Sequence, residues 1–229
     1  MKNSTILVAG ASRGLGQAIA AHLGPRCGTL FAASRGPARH GNWIQADLLT
    51  AAGLDAVVGR VGNVKLDALI VSAGTWEEGA FTRAYGFESG PETDIDRVLG
   101  LNLAMPIKLV RRLLPALRRA TCPRILLIGA LTARDHSASR EVANSASKYG
   151  LRGAAHALRL EVPELAVTVL NPGNVATEEV EADIREGRFG PQTPIPMSDF
   201  LAVVDCALAL SPASVVSQID LEQTKTSIR

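Results

Sequence analysis

The chain has 229 residues, of which 47% are hydrophobic and 20% are charged, so it can bury the core of one domain. This composition excludes a disordered chain, and 21 Gly with 12 Pro and no triplet period exclude a collagen-like one. The net charge of +2 favours neither a polyanionic partner nor its absence, and an aromatic content of 4% weighs against nucleic-acid binding. We expect a single domain over residues 1–229.

The cysteines and the apolar runs indicate the compartment. Cys27, Cys122 and Cys206 are odd in number and far apart, which disfavours both a disulfide framework and a zinc site. No window approaches the 18 or so apolar residues of a membrane span, and the run Ile6–Ala9 is too short for a signal peptide. The expectation is a cytoplasmic protein with no metal and no membrane contact.

Short apolar runs alternate along the chain with longer segments of helical period. The short runs are rich in Val, Ile and Leu, which is typical of strands buried on both faces of a parallel sheet. The predicted strands are Thr5–Ala9, Thr29–Ala33, Trp43–Ala46, Ala68–Ser72, Ile125–Ile128, Val167–Leu170 and Val215–Leu221. The predicted helices are Gly16–Leu23, Ala51–Val61, Asp94–Arg119, Arg140–Val162 and Met197–Leu210. This alternation predicts an α/β fold with a doubly wound parallel sheet of about seven strands.

Two segments depart from that alternation. Only Ser34 to Asn42 separates the second and third strands, which is too short for a helical crossover and predicts a loop. The stretch Glu178–Pro196 is charged and contains proline, which indicates a mobile segment with one short helix, Glu179–Glu186. We expect this segment to cover a substrate.

A glycine-rich turn follows the first strand and leads directly into a helix. It reads Ala9-Gly10-Ala11-Ser12-Arg13-Gly14-Leu15-Gly16. Glycines let the backbone approach a pyrophosphate, and the free N–H groups of a helix N-terminus meet its charge. The spacing predicts a dinucleotide site, and the alternative is a purely structural turn.

The end of the second strand bears on the choice of nucleotide. An acid here would accept the ribose 2′-OH of NAD, but the chain reads Ala33-Ser34-Arg35. Arg35 and Arg13 could instead donate to a 2′-phosphate. This predicts NADP(H) in preference to NAD(H), the alternative being two solvated surface charges.

Further motifs follow in an order that resembles the short-chain dehydrogenase/reductase family. They are Gly10-x-x-x-Gly14-x-Gly16, Asp47, Ser72-Ala73-Gly74, Asn102, Lys148 and Pro172-Gly173-x-Val175-x-Thr177. The resemblance runs from about Thr5 to Leu221 and implies a Rossmann-like fold. It implies cofactor contacts by Gly10, Ser12, Arg13, Gly14, Leu15, Gly16, Ser34, Arg35, Asp47, Leu48, Ser72, Ala73, Gly74, Lys148, Pro172, Gly173, Val175 and Thr177.

The catalytic positions match the family only in part. The resemblance implies a Tyr four residues before the Lys, and a Ser after the fifth strand. Those places hold Asn144 and Ala130, whereas Asn102 and Lys148 match. An amide can donate a hydrogen bond but cannot give up a proton. The chain is thus expected to have a degenerate catalytic tetrad, with Asn102, Lys148, Asn144 and Thr132 as the candidate catalytic residues.

Several groups could replace the missing acid. Thr132 could hold a substrate oxygen, and His136 has a suitable pKa range. Tyr149 points about 100° around the helix from Lys148, and Ser145 is displaced in the same way from Asn144. A water chain anchored by Asn102 and Lys148 needs no further residue. The sequence leaves these alternatives open.

Two functions fit these observations. One is an oxidoreductase that uses NADP(H) on a carbonyl, alcohol or enone with altered or weak proton transfer. The other is a catalytically inactive NADP(H)-binding sensor or scaffold. In the family the helices matching Asp94–Arg119 and Arg140–Val162 pair across a two-fold axis, which implies a homodimer or homotetramer. Small residues at helical spacing would allow close approach: Ala143, Ala146, Gly150, Ala154 and Ala157.

Overall fold

The computed structural model describes residues 2–224, and its core is one wholly parallel sheet of seven strands. The strands are β1 (Thr5–Ala9), β2 (Thr29–Ser34), β3 (Asn42–Gln45), β4 (Ala68–Val71), β5 (Arg124–Ile128), β6 (Ala166–Pro172) and β7 (Gln218–Leu221). Their order in the sheet is β3-β2-β1-β4-β5-β6-β7. The predicted α/β fold, Rossmann-like and doubly wound, is confirmed.

Helices cover both faces of the sheet. They are α1 (Gly14–Leu23), α2 (Ala51–Val61), α3 (Glu92–Leu99), α4 (Met105–Leu117), α5 (Val142–Glu161), α6 (Glu178–Arg185) and α7 (Met197–Ala209). Successive β1 side chains enter opposite layers, Leu7 packing with α2, α4 and α5, and Val8 with α1 and α7. Within residues 2–224 no helix has the length and apolarity needed to cross a membrane.

The prediction of a single helix over Asp94–Arg119 is wrong. It is divided into α3 and α4 by a π-helical segment, Gly100–Ala104, in which the Met105 N–H donates to the Gly100 carbonyl five residues earlier. Pro106 has no N–H, so the carbonyl of Asn102 lacks its usual partner four residues on. The wider turn holds Asn102 buried at the carboxyl edge of the sheet.

The other differences are small. The crossover from β2 to β3 is a loop without a helix, as predicted, and the short helix α6 begins one residue early. Strand β7 begins at Gln218 rather than Val215, because pairing with β6 starts at Val169 opposite Gln218. The carbonyls of Leu210, Ser211 and Ser214 instead accept hydrogen bonds from the Arg124 guanidinium.

Candidate active site

The glycine turn lies where the strand order reverses, between β1 and β4. Gly10 has a φ of +94°, and a Cβ there would lie 2.4 Å from the Ala73 nitrogen. A Cβ on Gly16 would lie 2.0 Å from the Gly10 carbonyl oxygen. Both glycines are therefore required by the packing of the turn. As a result, only backbone atoms, and no side chains of these two residues, lie at the place where doubly wound sheets bind ligands.

The N-terminus of α1 is open to an anion. Its N-cap, Arg13, makes no side-chain cap, and the first turn holds no acidic residue. The partial positive charge of these N–H groups suits a phosphate. The Arg13 side chain is 77% exposed and lies 3.6 Å from Glu179 of α6, so it also connects this turn to the segment after β6.

The expected 2′-phosphate residues differ in their availability. Ser34 is buried, and its hydroxyl donates to the Gly36 carbonyl at 2.8 Å within its own turn. Arg35 is exposed and forms no ion pair within residues 2–224. Arg39 and His40, which the sequence analysis did not single out, are exposed in the same loop. Arg35 is thus free to meet a phosphate, whereas the Ser34 hydroxyl is already engaged.

The expected adenine side lies after β3. Asp47 is exposed, and its Oδ1 accepts the Leu49 N–H at 3.0 Å. The Leu48 side chain is buried in the core, so a nucleotide can meet only the backbone of that residue. Asp47 therefore stabilises its own turn through Oδ1, and its other carboxylate oxygen has no hydrogen-bond partner within residues 2–224.

Residues 72–74 connect the nucleotide half of the site to its chemical half. The Ser72 and Ala73 N–H groups both donate to the Ala9 carbonyl at 2.9 Å. A Cβ on Gly74 would lie 3.5 Å from Asn102 Oδ1 and 3.8 Å from Lys148 Nζ. The backbone after β4 thus passes directly over the Asn102 and Lys148 side chains.

The stretch from Pro172 to Thr177 lies at the same edge of the sheet. Val175 is buried and forms a parallel bridge with Ile195, which anchors the end of the segment 178–196. Thr177 caps α6, its Oγ1 accepting the Val180 N–H at 3.3 Å. A Cβ on Gly173 would lie 2.4 Å from the Gln223 side chain. Gly173 thus has no room for a side chain, because Gln223 packs against its backbone.

Asn102 organises the chemical half. Its Oδ1 accepts the Thr75 N–H at 2.8 Å, and its Nδ2 lies 2.9 Å from the Thr75 carbonyl and 3.2 Å from Ser147 Oγ. The same nitrogen lies 3.4 Å from Asn144 Oδ1. Because Asn102 engages the oxygen of the Asn144 amide, the Asn144 Nδ2 is left as the free end.

Asn144 and Lys148 provide the polar groups of this centre. Asn144 has no exposed surface, and its Nδ2 has no hydrogen-bond partner within the described chain. Lys148 is 7% exposed, and its Nζ donates to the Ile128 carbonyl at 3.1 Å. Burial lowers the pKa of Lys148 to about 8. The centre therefore contains an unused amide donor beside an amine that can exchange a proton near neutral pH.

The other candidate acids occupy different surroundings. Tyr149 donates to the Arg134 carbonyl and lies beside the Arg152 guanidinium, away from Lys148. Ser145 Oγ is bonded to Ser139, and His136 is exposed with a φ of +60°. The Thr132 hydroxyl, in contrast, is buried and without a partner in the described residues. Of the side chains proposed as alternatives, Thr132 alone has an unengaged buried polar atom.

Two residues next to this centre were missed. Glu77 is 9% exposed, and its Oε1 accepts the Ala143 and Asn144 N–H groups at 2.7 and 3.1 Å. Tyr85 Oη accepts the Val142 N–H at 3.1 Å. Together they cap α5, whose N-cap residue makes no side-chain cap of its own. The sequence spacing of Glu77 and Tyr85 does not predict this capping, because their contacts with α5 join residues more than 50 positions apart.

These features fit a dinucleotide. The glycine turn is a cradle that side chains would fill, the first turn of α1 lacks an acid, and the buried Asn144 amide nitrogen, one helix turn from Lys148, has no partner among the described residues. Among residues 2–224 no group of His, Cys, Asp and Glu side chains could hold a metal ion.

Comparison with known proteins agrees with this geometry. Residues 4–187 match the family model of the short chain dehydrogenases. The chain is 28% identical over 189 residues to a short-chain dehydrogenase/reductase, olcF, of Penicillium canescens, covering 77% of this chain and 71% of that protein. It is 30% identical over 202 residues to the ketoacyl reductase HetN of Nostoc sp., covering 81% and 68%.

Solved structures show the same fold. A short chain dehydrogenase from Shigella flexneri, complexed with NADP, superposes with a TM-score of 0.80 at 21% identity, over 96% of this chain and 97% of that one. With the family model matching most of its length, this chain belongs to the short chain dehydrogenase family.

Proposed function

We propose that this protein is an NADP(H)-dependent oxidoreductase acting on a carbonyl, alcohol or enone, with altered or weak proton transfer. The observation that carries the proposal is the Asn102–Asn144–Lys148 group, which lies beneath Gly74 beside the glycine turn. A bound nicotinamide would supply or take the hydride. The chain's own task is to hold the substrate oxygen, for which Asn144 Nδ2 and Thr132 Oγ1 are the candidate donors, since both are buried without a hydrogen-bond partner in residues 2–224.

The altered proton transfer follows from the two departures from the family pattern. Asn144 cannot release a proton, and Ala130 has no hydroxyl to hold the substrate oxygen. With a pKa of about 8, Lys148 is the amine of this centre that can exchange a proton near neutral pH. A proton route from Lys148, through water, to a substrate oxygen held by Asn144 fits these groups.

The preference for NADP(H) rests on Arg35. It is exposed beyond β2, where no carboxylate opposes a 2′-phosphate. We expect Arg35→Ala to weaken NADPH binding roughly tenfold or more, the effect of one charge-assisted hydrogen bond, and to leave NADH binding unchanged. Nucleotide fluorescence titration measures both, with Arg60→Ala as the control because Arg60 is exposed on α2. Equal affinities for the two nucleotides in the unmodified protein would refute the preference.

A second candidate is an NADP(H)-binding sensor or scaffold without turnover. Asn144 stands where the family has a Tyr, which favours this candidate. Tyr149 does not replace the missing phenol, because it is engaged with the Arg134 carbonyl. The discriminating experiment titrates the purified protein with NADPH and then follows NADPH consumption over a panel of ketones, aldehydes and enones. Consumption supports the oxidoreductase; tight binding without consumption supports the sensor.

We also propose a homodimer or homotetramer formed through α4 and α5. Leu160 is 73% exposed near the end of α5, and Ile107 is exposed on α4. The small-residue stripe contributes less than expected, because Ala143 is buried and a Cβ on Gly150 would meet Leu103 of the same chain. Light scattering at micromolar concentration should give a multiple of the 24.1 kDa chain mass, and a monomer mass would overturn this proposal.

A further inference from the structure

A cavity of about 610 Å³ lies next to the N-terminus of α5. Its walls come from segments 81–85, 139–141 and 186–189, the last of which belongs to the stretch after α6. This volume suits a small organic molecule. Asn144 and Lys148 do not line the cavity, so it is a neighbouring compartment rather than the reactive centre itself.

One part of the cavity wall is aromatic. Phe81, Tyr85 and Phe189 line it, and the Phe81 and Phe189 ring centroids lie 5.3 Å apart in an edge-on arrangement. Trp76 packs behind Phe81 with its ring centroid at 4.7 Å. The rings come from two separate loops, so together they offer an apolar surface to the body of a ligand.

The rest of the wall is basic. Arg83, Arg140 and Arg188 line the cavity. Arg188 is shared between the Asp183 and Glu186 carboxylates, each at 2.6 Å. Arg83 and Arg140 are exposed and form no ion pair within the described part of the chain. Two guanidinium groups therefore remain available to an anion, which they can hold in a bidentate manner.

The acidic residues of the wall offset only part of this positive charge. Glu186 is paired with Arg188. Glu141 is buried, and its Oε1 accepts the Phe81 N–H at 2.9 Å, so this carboxylate holds the loop against α5 and contributes one negative charge to the wall. The cavity thus combines aromatic surface with two unshared cations.

The cavity adjoins the helix turn that carries the reactive centre. Glu141 lies three residues before Asn144, about 4.5 Å along a helix axis. Ser139, also in the wall, is bonded to Ser145 of the first turn of α5. A ligand with its anionic end at these arginines therefore lies against the helix turn that carries Asn144.

We propose that this cavity selects the substrate: a carbonyl compound with an anionic group, carboxylate or phosphate, separated from the carbonyl by an apolar chain. The role of the carbonyl rests on the proposed function above, whereas the charge selectivity belongs to the cavity alone. Arg83 and Arg140 bind the anion, the rings of Phe81, Tyr85 and Phe189 cover the apolar body, and the carbonyl end lies against the first turn of α5, toward the reactive centre.

Trp76 provides the test, because it packs on a ring of the cavity wall. The chain has two tryptophans, so Trp43→Phe leaves Trp76 as the only indole reporter. This protein, saturated with NADP⁺, is titrated with 8-oxononanoate, with 8-oxononyl phosphate and with the neutral methyl ester of 8-oxononanoate. Calorimetry repeats each titration, and no turnover is required.

We expect the better of the two anions to bind at least about tenfold more tightly than the ester, since two guanidinium groups contact it. Arg83→Gln and Arg140→Gln should each reduce that preference, and the double variant should abolish it without weakening binding of the ester. The control variant Arg60→Gln changes an exposed residue of α2 and should retain the full preference for the anion over the ester. The carboxylate and the phosphate arms identify which anion the cavity prefers.

Three outcomes would overturn the inference: equal affinity for anions and ester, a preference that survives in the double variant, or no binding of any of the three compounds. Failure of the proposed function is distinguishable from all of these. In that case NADPH is not consumed with any carbonyl compound, while the charge-dependent titration of Trp76 persists.

Discussion

The double variant Asn144→Tyr with Ala130→Ser should raise NADPH-dependent reduction of a reactive ketone by about 10²-fold or more, the lower end of what a positioned acid contributes. Asn144 lies on the same helix face as Lys148, since a spacing of four residues is about one turn. A phenol there would meet the Lys148 amine, whose positive charge lowers the pKa of a neighbouring phenol. Initial rates with saturating NADPH measure the effect.

The controls separate proton donation from a change of shape. Asn144→Phe with Ala130→Ser introduces the ring without its hydroxyl and should remain as slow as the unmodified protein. Each single substitution should help little, because catalytic groups that act as a unit are strongly non-additive. Asn144 is fully buried, so NADPH titration and thermal unfolding must first show that each variant still folds and binds.

Two results would change the interpretation. If the unmodified protein is already fast and the double variant is slower, then a different residue is the acid, and the proposed oxidoreductase works by another mechanism. If the double variant binds NADPH normally but stays inactive, the substrate side has diverged as well. That second result would favour the sensor or scaffold.

Local patterns in the sequence predicted most of the fold. The apolar runs of β1, β2 and β4 are continuous because both faces of the sheet are covered, and their bounds were predicted to within one residue. The glycine turn was also recognisable from its spacing after β1, although only the close contact between Gly16 and the Gly10 carbonyl is local, and the packing that requires Gly10 comes from Ala73, far along the chain. The apolar runs and the spacing of the glycines can be recognised without knowledge of tertiary contacts.

Features that depend on distant contacts were not predictable. The π-helical turn at Asn102 needs both Pro106 and the Thr75 backbone that its side chain binds. The capping of α5 by Glu77 joins two loops far apart in the chain, and so does the ion pair between Arg13 and Glu179. The cavity beside the N-terminus of α5 is of the same kind, as its arginines come from three separate segments.

The second large effect that we expect is on the free energy of unfolding, and it comes from the buried amine of Lys148. Its size depends on pH. Burial lowers the pKa of Lys148 from 10.5 to about 8, whereas the unfolded chain keeps the ordinary value. Between those two pH values the unfolded chain binds more protons than the folded one, so stability rises as pH increases through that window. Below pH 8 both states are protonated, and the cost of burying the ammonium, about 3 kcal/mol, is fully present.

Lys148→Met should therefore stabilise the nucleotide-free protein at pH 7 while it impairs NADPH-dependent activity. Removing the buried charge gains up to about 3 kcal/mol, and leaving the Ile128 carbonyl without its donor costs about 1 kcal/mol or more, so a net gain of about 1–2 kcal/mol is expected. The gain should disappear by about pH 10.5, where the amine of the unmodified chain is neutral in the folded state. Urea unfolding at pH 7 and pH 10.5, at one protein concentration, measures this gain.

Lys108→Met on the exposed side of α4 is the matched control and should change stability by less than about 0.5 kcal/mol at either pH. A Lys148→Met protein that is less stable at pH 7 would mean that the hydrogen bond to Ile128 outweighs the desolvation of the ammonium, and that this lysine is retained for the fold as much as for chemistry.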